Sequence, residues 1–328
     1  MSRTIRAALR RAADYDVSLT TVDIGASVEP YHCFSPLLPY CTYIGFDPDL
    51  RAVKIHTNPE FHNYVMIDKA VVPDDRDEVE FHLTRNPTCS STLSPNPDNV
   101  GKYYFDYRFE VVSDVRVAAT TLNQVAETYG LRSFDWIKLD TQGIDLRLIN
   151  SLSPDLEDRL LVVDVEPGYD EYYRDEDTFC RLHQEMTRKG YWLADLEYTS
   201  ASRVRRATVD KHLKPRNRLE SYVYEFALKK SPVAANARYI RDVDRLLDKR
   251  IGKSTLLKLW LCAVCSGNHP YALEIIERCS EAGEFGEDLR QLLEFTIKLN
   301  RRSLVGNGME LLRRIKPRNI KALLRNGR

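Results

Sequence analysis

The stretch that decides the fold is VDIGAS at residues 22–27, and YIGFD follows it at residues 43–47. Each is a short apolar run that ends at a glycine and an acidic residue, which is typical of a strand at its carboxyl end in a parallel α/β sheet. Asp23 and Asp47 are therefore predicted at the tips of two strands. Two carboxylates at this spacing indicate a site for a nucleoside cofactor.

Asp23 discriminates between two kinds of cofactor. A carboxylate at the first strand-to-helix turn repels the pyrophosphate of a dinucleotide but attracts the ammonium and sulfonium groups of S-adenosylmethionine. A dinucleotide site would also require G-x-G-x-x-G, and residues 25–30 supply only its first glycine. Asp47 suits either cofactor, because a carboxylate there can accept both ribose hydroxyls. We expect S-adenosylmethionine, although D-x-G at a strand end is also a common turn.

Composition is that of an ordinary globular protein. The chain has 328 residues, 43% of them hydrophobic and 29% charged, with no formal net charge. Neutrality removes any whole-chain argument for nucleic acid or an acidic partner. The seven cysteines include no spaced pair of C-x-x-C motifs, so neither a zinc site nor a disulfide framework is expected. No apolar run is long enough to span a membrane. We expect a cytoplasmic protein.

From residue 20 to about residue 230, short apolar runs alternate with helical stretches, which indicates a parallel sheet with crossover helices. Strands are predicted at 21–24, 42–46, 64–67, 136–139, 160–165, 191–196 and 221–228, with extra short strands at 79–83 and 110–112. Helices are predicted at 122–129, 144–152 and 177–189. The predicted fold is α/β, with a doubly wound, mostly parallel, seven-stranded sheet.

The segment 84–108 differs from its surroundings. Its prolines, asparagines and glycine oppose a long element, while four aromatic residues between 103 and 107 add aromatic surface. Loops of this length in compact domains are usually binding loops, lids or disordered insertions. A substrate-facing lid and a plain insertion are both consistent with the sequence.

After Pro232 the sequence becomes continuously helical in its periodicity, which predicts a small, all-helical second domain at 232–328 beside a first domain at 1–231. Helices are predicted at 237–250, 253–265, 270–282, 287–301 and 309–315. The second part holds 19 basic and 11 acidic residues and so carries +8, against −8 for the first part. Docking of this basic face on its acidic neighbour is favoured over nucleic-acid binding, because few aromatic residues lie among the cations. A protein partner or self-association through these helices is the other expectation.

The most specific stretch in the chain is FDWIKLDTQGID at residues 134–145, preceded by TLN at 121–123. These residues resemble the FkbM-type methyltransferases, which carry T-L-D, then D-x-I-K-I-D-x-E/Q-G-x-E at the end of the fourth strand, and begin the cofactor site with V-D-I-G-A-N. The resemblance covers roughly residues 18–230 and includes CSSTL at 89–93, VDVE at 163–166 and KGYWLADL at 189–196. It implies the Rossmann-like class I methyltransferase fold, S-adenosylmethionine as the methyl donor, and hydroxyl groups of natural products or sugars as acceptors.

Several residues depart from the family pattern. Ser27 replaces an asparagine and Glu29 replaces the second glycine, so the loop that meets the methionine end of the cofactor is bulkier and more acidic. Asn123 stands in place of an aspartate, which removes a charge, and Asp145 in place of a glutamate, which shortens a side chain. The cofactor-binding residues are expected to be Asp23, Gly25, Ala26, Ser27, Asp47 and Asp68, the last of which could accept the adenine amino group or merely end a strand.

Transfer of a methyl group to an alcohol requires a base within hydrogen-bond reach of the hydroxyl. Asp140 and Glu166 are predicted at the carboxyl ends of two strands, where open parallel sheets hold their ligands. Asp140 is the first choice for the base, and Glu166 is the second or orients the acceptor. Gln142 can hydrogen-bond either substrate. The structural alternative for Asp140 is to cap the helix that begins near Gly143.

Three further groups have open interpretations. Lys138 either reaches the surface or pairs with a carboxylate such as Asp164 inside a buried strand. His32 could face the methyl group, although a structural role is more common for a lone histidine. Asp140 and Asp164 could share a magnesium ion, but no metal is expected, because no cluster of ligands has persuasive spacing.

The leading hypothesis is an S-adenosylmethionine-dependent O-methyltransferase that acts on a small-molecule or carbohydrate acceptor. The alternative is a degenerate methyltransferase fold that acts as a binding or scaffold module, motivated by Ser27 and Glu29. A nicotinamide-dependent oxidoreductase is the weakest hypothesis, because Asp23 opposes a pyrophosphate.

Overall fold

The structure is a computed structural model, and it describes residues 7–8, 10, 17–26, 30–34, 37–48, 63–286 and 288–314. Ser27 and Glu29 lie outside the described residues.

The central sheet has seven strands in the order β3-β2-β1-β7-β8-β10-β9. These strands are β1 (Leu19–Ile24), β2 (Cys41–Phe46), β3 (Asn63–Ile67), β7 (Trp136–Leu139), β8 (Val162–Val165), β9 (Tyr191–Ala201) and β10 (Ser231–Arg241). Only β10 runs antiparallel to its neighbours among these paired strands. The order reverses between β1 and β7, the position at which open α/β sheets bind ligands. The predicted mostly parallel, seven-stranded α/β sheet is confirmed.

Eleven helices are described, together with short 3-10 turns at Leu38–Tyr40, Pro87–Cys89 and Asp106–Phe109. The helices are α1 (Pro97–Val100), α2 (Leu122–Thr128), α3 (Asp145–Asn150), α4 (Pro154–Arg159), α5 (Phe179–Arg188), α6 (Arg206–His212), α7 (Arg218–Ala227), α8 (Val243–Asp248), α9 (Lys253–Cys265), α10 (His269–Glu281) and α11 (Asp288–Arg314).

Alternate residues of each strand pack into two separate hydrophobic clusters, one on each face of the sheet. On one face, Val22, Ile137 and Val163 pack with helices α2 to α5. On the other face, Trp136 and Val162 pack with helices α8 to α10. Both faces are therefore covered, as a mainly parallel sheet requires.

A second sheet of three strands lies between β3 and β7 in the sequence. Its strands are β4 (Ala70–Val71), β5 (Glu78–Thr84) and β6 (Val111–Thr120), in the order β4-β6-β5. β5 and β6 pair antiparallel, which confirms the two extra strands, although β6 is much longer than predicted. The segment between them, residues 85–110, contains α1 and two of the short turns, so it is an ordered insert rather than a structureless loop.

The strand predicted at 221–228 is wrong, because these residues belong to α7. The Asn217 side chain accepts a hydrogen bond from the backbone N–H of Glu220 and caps this helix. The last strand of the sheet is β10 instead, so the helix predicted at 237–250 begins only at Val243. Within its sequence SPVAANARYIR, apolar and polar residues alternate from Ala235 to Tyr239, which is the period of a strand.

The boundary predicted at residue 231 coincides with the start of β10, so the C-terminal part contributes a strand to the central sheet. The helices that follow share one hydrophobic cluster with the sheet, in which Trp260 and Leu261 join Leu19, Tyr43 and Trp136. The Lys258 ammonium also lies 2.9 Å from the fully buried Asp135 carboxylate, just before β7. In the described residues these helices form a layer over the sheet rather than a core of their own.

The break predicted near Gly308 is absent, since α11 runs from Asp288 to Arg314. Among the described helices, none combines the length and the apolar character that crossing a membrane requires.

Candidate active site

The tips of β1, β2 and β7 are tied together by backbone hydrogen bonds. The amides of Gly25 and Ala26 both donate to the carbonyl of Phe46, at 2.9 and 3.0 Å, and the amide of Asp140 donates to the carbonyl of Ile24 at 3.1 Å. Gly25 has φ of +82°, and a Cβ atom there would lie 2.6 Å from the backbone oxygen of Asp140. Only glycine fits this turn, because both the backbone conformation and the close approach exclude a side chain.

A small cavity with mainly apolar walls opens beside these tips, and we call it the apolar cavity. Gly25, Asp47, Asp140 and Gln142 line it together with the hydrophobic residues Ile24, Pro48, Ala70, Val71, Phe81 and Ile144. The insert closes one side through Pro87, Thr88, Ser90 and Thr92. The buried Asp47 follows β2 directly, as predicted.

Charged residues form a row across five strands of the sheet on the face that α8 to α10 cover. In the strand register Asp23 lies beside Lys138, Lys138 beside Asp164, Asp164 beside Arg238, and Arg238 beside Asp195. Because neighbours in register point to the same face, the side chains alternate in sign along the row. All of them except the exposed Asp195 are buried, which is tolerable only when each buried charge is paired with the opposite charge.

Asp23 lies within β1, not at its tip as predicted, and its side chain is 1% exposed. One carboxylate oxygen, Oδ2, accepts hydrogen bonds from the backbone of Tyr31 at 2.7 Å and from the hydroxyl of Tyr43 at 2.9 Å. The other, Oδ1, has no hydrogen-bond partner among the described residues and lies 3.9 Å from the Lys138 ammonium. Burial raises the pKa of Asp23 despite the nearby lysine.

Lys138 lies between two carboxylates. Its ammonium is 3.3 Å from Asp140 Oδ2 and 3.9 Å from Asp23 Oδ1. Burial alone would lower the pKa of Lys138, but Asp140, Asp23 and Glu166 together raise it above its usual range. Its ion-pair partners are therefore Asp140 and Asp23. Asp164, which was named as a partner from the sequence, pairs elsewhere.

Asp164 instead pairs with Arg238, a residue that the sequence prediction missed. The guanidinium donates to both carboxylate oxygens at 2.7 and 3.2 Å, and Trp136 Nε1 donates to Oδ2 at 2.6 Å. Arg238 also donates to the hydroxyl of Tyr31 and to Cys33 Sγ. Both carboxylate oxygens of Asp164 are occupied by these donors. The structure therefore gives no support to the magnesium site considered for Asp164 and Asp140.

The charged row forms the floor of a cavity of about 430 Å³, which we call the polar cavity. Its walls come from the loop after β1 and from β8 to β10, with the residues Gly25, Pro30, Tyr31, His32, Cys33, Val165, Glu166, Asp195, Glu197, Asn236 and Ala237. The side-chain oxygen of Asn236 has no hydrogen-bond partner among the described residues. Most polar groups in the walls are acceptors, so the cavity suits a ligand that donates hydrogen bonds.

Asp140 follows β7, and its side chain is 27% exposed. Gln142 Nε2 donates to Asp140 Oδ1, while Lys138 Nζ lies at Oδ2. The capping alternative for Asp140 is wrong, since α3 begins only at Asp145 and has no side-chain cap. Gln142 adopts a positive φ of 54° and accepts hydrogen bonds from the hydroxyl of Tyr173 at 2.9 Å and, at its backbone oxygen, from Ser91 at 2.8 Å.

Asp145 joins the loops that follow β7 and β8. Its carboxylate accepts hydrogen bonds from the backbone and hydroxyl of Thr141 and from the backbone N–H of Glu166 at 3.2 Å. Complete burial raises the pKa of Asp145 to about 6, although these donors oppose the shift. Asp145 thus ties the loop that carries Asp140 to the loop that carries Glu166.

Glu166 follows β8 and is half-buried. Burial, followed by the charge of Asp140, raises its pKa to about 8, while Lys138 acts in the opposite direction. Glu166 lines the polar cavity and also a third cavity of about 220 Å³. A carboxyl that titrates near neutral pH can both take up and release a proton under physiological conditions.

The third cavity, which we call the aromatic cavity, lies between the insert and the loop after β8. Its lining includes Phe105, Phe109, Tyr172 and Tyr173 beside Gln142 and Glu166. Tyr173 donates to the carbonyl of Cys89 at 2.8 Å, and this bond holds the insert against the site. The insert therefore faces both the apolar and the aromatic cavities, which is the position that a substrate-facing lid requires.

Of the other residues considered for the site, His32 lines one of these cavities, whereas Ala26 and Asp68 do not line the cavities expected for them. The amide of Ala26 bonds to β2, and Ala26 does not line either of the first two cavities as described. Asp68 is exposed after β3 and does not line the apolar cavity within the described residues. His32 lines the polar cavity with its ring nitrogen 3.3 Å from Cys33 Sγ. In the described ranges, no group of three or more candidate ligands could hold a metal ion.

Four residues of the polar cavity were not predicted from the sequence: Arg238, Asn236, Asp195 and Glu197. Two of these were detectable, because the alternation of β10 places Asn236 and Arg238 on one face. Asp195 and Glu197 come from β9, and only the pairing of β9 with β10 brings them to the cavity.

Comparison with known proteins agrees with this geometry. The family model described as "Methyltransferase FkbM domain" matches residues 23–193, which include the last two residues of β1, all of β7 and β8, and the residues that join the three cavities. No functionally curated protein matches the chain significantly. The family match supports an enzyme that transfers methyl groups. By its fold, its cavity-lining residues and this match over more than half its length, the chain belongs to the FkbM methyltransferase family.

Proposed function

We propose that the protein is an S-adenosylmethionine-dependent O-methyltransferase, with a hydroxyl group of a sugar or small natural product as the acceptor. The observation that carries the proposal is the position of Glu166. It borders the polar and aromatic cavities, and Asp140, which influences its pKa, borders the apolar cavity.

The residues of the apolar cavity fit a nucleoside. Hydrophobic side chains form walls suited to an adenine ring, and Asp47, which also lines the cavity, is the carboxylate that we assign to the ribose hydroxyls. Gly25 borders both the apolar and the polar cavities, and its lack of a side chain allows the turns after β1 and β7 to meet between them. When bound, S-adenosylmethionine supplies a methyl group already activated by a sulfonium.

Asp23 fits the positive charge of the same cofactor, which is the role expected from the sequence. It is a buried wall of the polar cavity whose Oδ1 atom lacks a hydrogen-bond donor among the described residues. An ammonium group is the ligand that such an oxygen favours. Its second oxygen holds Tyr31 and Tyr43, so Asp23 also shapes the loop after β1.

The acceptor is assigned to the polar cavity. Hydroxyl groups donate hydrogen bonds, and the cavity offers acceptor oxygens from Glu166, Glu197 and Asn236. The adjoining aromatic cavity adds the rings of Tyr172 and Tyr173, on which an apolar face of a sugar or natural product can pack.

Of the two carboxylates, Glu166 is the better base. Asp140 already receives Lys138 and Gln142 on its two oxygens, which hold it in place and occupy its lone pairs. Glu166 has a raised pKa and therefore a higher affinity for the hydroxyl proton. We assign proton removal to Glu166 and positioning to Asp140, the reverse of the order predicted from the sequence.

Lys138 and Gln142 complete the arrangement. Lys138 balances the charges of Asp23 and Asp140, so that the carboxylates can remain together in a buried place. Gln142 is hydrogen-bonded to both Asp140 and Tyr173, and Tyr173 is hydrogen-bonded to Cys89 of the insert. The position of the insert and the alignment of Asp140 are therefore coupled. Alignment and exclusion of water carry most of the rate in a reaction whose donor is already activated.

Calorimetric titration with S-adenosylhomocysteine tests the cofactor assignment, and turnover of glycoside and phenol panels with labelled S-adenosylmethionine tests the acceptor class. We expect binding that Asp47→Ala weakens at least about tenfold, since it loses charged hydrogen bonds to ribose. Lys69→Ala, an exposed change after β3, is the control and should bind as the unaltered chain does. Absence of binding at high ligand concentration would favour the scaffold hypothesis, and methylation of amines alone would exclude O-methyl transfer.

A further inference from the structure

The connection between β9 and β10 differs in charge from the rest of the sheet domain. Residues 203–230 contain nine lysines and arginines but only three acidic residues, whereas residues 1–231 as a whole carry −8. This connection holds the short helices α6 and α7. A local cationic surface on an otherwise acidic region indicates an anionic partner.

Helix α7 presents an apolar face to solvent. Leu219, Tyr222, Val223 and Phe226 are spaced as one side of a helix, and they are 71%, 59%, 49% and 50% exposed. The helix is held from its other side, where Glu225 accepts a hydrogen bond from the Tyr107 hydroxyl at 3.0 Å and pairs with Arg108. The apolar face is therefore exposed on an anchored helix.

Lysines flank α7 in the sequence on both sides. Lys211 and Lys214 precede the helix and Lys229 follows it, and all three are exposed without an ion-pair partner in the part of the chain that the structure describes. Lys230 lies over the ring of Phe226, with its ammonium 4.9 Å from the ring centre. Aromatic rings beside lysines are typical of helices that lie at a lipid–water interface.

We propose that α7 docks the protein on an anionic lipid surface. A helix of this length cannot cross a bilayer, but it can lie in the interface with its apolar side among the acyl chains. The lysines then contact anionic headgroups, whose negative charges pair with the lysine ammonium groups. A lipid surface accounts for both features, because lysines contact anionic headgroups while aromatic rings lie at the boundary with the acyl chains.

Docking at this position would bring the lipid surface near the candidate site. Glu225 on α7 pairs with Arg108, and Arg108 lines the aromatic cavity. The docked surface and that cavity are thus separated by α7 itself and by the ion pair between Glu225 and Arg108.

Flotation of the full chain with lipid vesicles tests the proposal. We expect binding to vesicles that contain phosphatidylserine, little binding to phosphatidylcholine alone, and release by salt. Tyr222→Ser with Phe226→Ser should weaken binding about tenfold or more, because both rings leave the acyl region. Lys229→Gln with Lys230→Gln should weaken it about fivefold for each cation removed.

Leu304→Ser is the matched control, because Leu304 is 72% exposed on α11, outside the proposed surface. It should bind like the unaltered chain, and the thermal midpoint of each variant shows whether it folds. Equal binding to both kinds of vesicle, or binding that neither pair of substitutions changes, would overturn the proposal. A dimer that Phe226→Ser dissociates, without any binding to vesicles, would overturn it in favour of a second copy of the chain.

Discussion

Gly25 approaches Asp140 so closely that an added Cβ would meet the backbone oxygen of Asp140 at 2.6 Å. The turn after β1 and the turn after β7 are therefore fitted against each other at the backbone level. The apolar cavity includes both residues, so its shape depends on this contact.

Gly25→Ala is expected to destabilise the protein and to abolish cofactor binding, because the new methyl group must push the two turns apart. Gly267→Ala is the matched control, since Gly267 has a similar φ of +80° but nothing within 4 Å of the added atom. Its cost should be limited to backbone strain of about 1 kcal/mol. Thermal unfolding and calorimetric titration with S-adenosylhomocysteine measure both effects. Equal behaviour of the two variants would show that the contact is unimportant.

Glu166→Gln is expected to lower kcat by about 10²-fold or more while leaving cofactor binding intact, because it removes the proposed base. In the unaltered enzyme kcat/KM should rise with pH and level off above about 8, since Glu166 must lose its proton to act and its pKa is about 8. Asp140→Asn should lower the rate but keep this pH dependence. If Asp140→Asn removes the pH dependence and Glu166→Gln keeps it, the two roles are exchanged.

Stability should fall as pH rises from about 5 to about 8. Glu166 has a pKa near 4.5 when unfolded and about 8 when folded, so over this range the folded state retains a proton that the unfolded chain releases. Glu166→Gln should flatten this dependence and unfold at a higher temperature than the unaltered protein at alkaline pH. Thermal unfolding across the range provides the measurement. An unchanged slope in the variant would assign the pH dependence to other groups, such as Glu176, whose pKa burial raises to about 7.

Lys138→Met is expected to destabilise the fold by about 3–5 kcal/mol near pH 8, because Asp23 and Asp140 lose the cation between them. The loss should be smaller near pH 5, where the crowded carboxylates can take up protons. Adding Asp23→Asn to Lys138→Met should recover part of the stability at the higher pH. Denaturant unfolding at the two pH values tests this, and a loss independent of pH would point to packing instead.

Truncation after Arg250 is expected to abolish cooperative unfolding, because it removes the apolar residues of α9 and α10 that cover one face of the sheet. Trp260→Ala in the full chain should cost about 3–5 kcal/mol, since Trp260 is fully buried in that cluster. Circular dichroism and calorimetry compare the three proteins. If the truncated chain melts at the same temperature as the full chain, the result would support the predicted division into two domains.

Local sequence was sufficient where one physical rule dominated. β-branched runs interrupted at Gly25 and Gly45 predicted β1 and β2, and helical periodicity predicted α9 at its observed bounds. The prediction failed at 221–228, where aromatic and β-branched residues have strand propensity but the Asn217 cap and the preceding turn favour a helix. Because this face is exposed to solvent, residues 221–228 have no core surface against which they could pack as a strand.

The sequence alone identified the α/β class and the methyltransferase resemblance. It also identified the candidates Asp23, Gly25, Asp47, Asp140, Gln142 and Glu166, because each of these residues belongs to a short motif whose spacing encodes its position on a strand or turn. It did not identify which charges would pair, because strand register joins residues far apart in the chain: Lys138 lies between Asp23 and Asp140, and Asp164 opposite Arg238. Nor could periodicity show that α8 to α10 cover the sheet, because an apolar helix face carries no record of the surface that buries it.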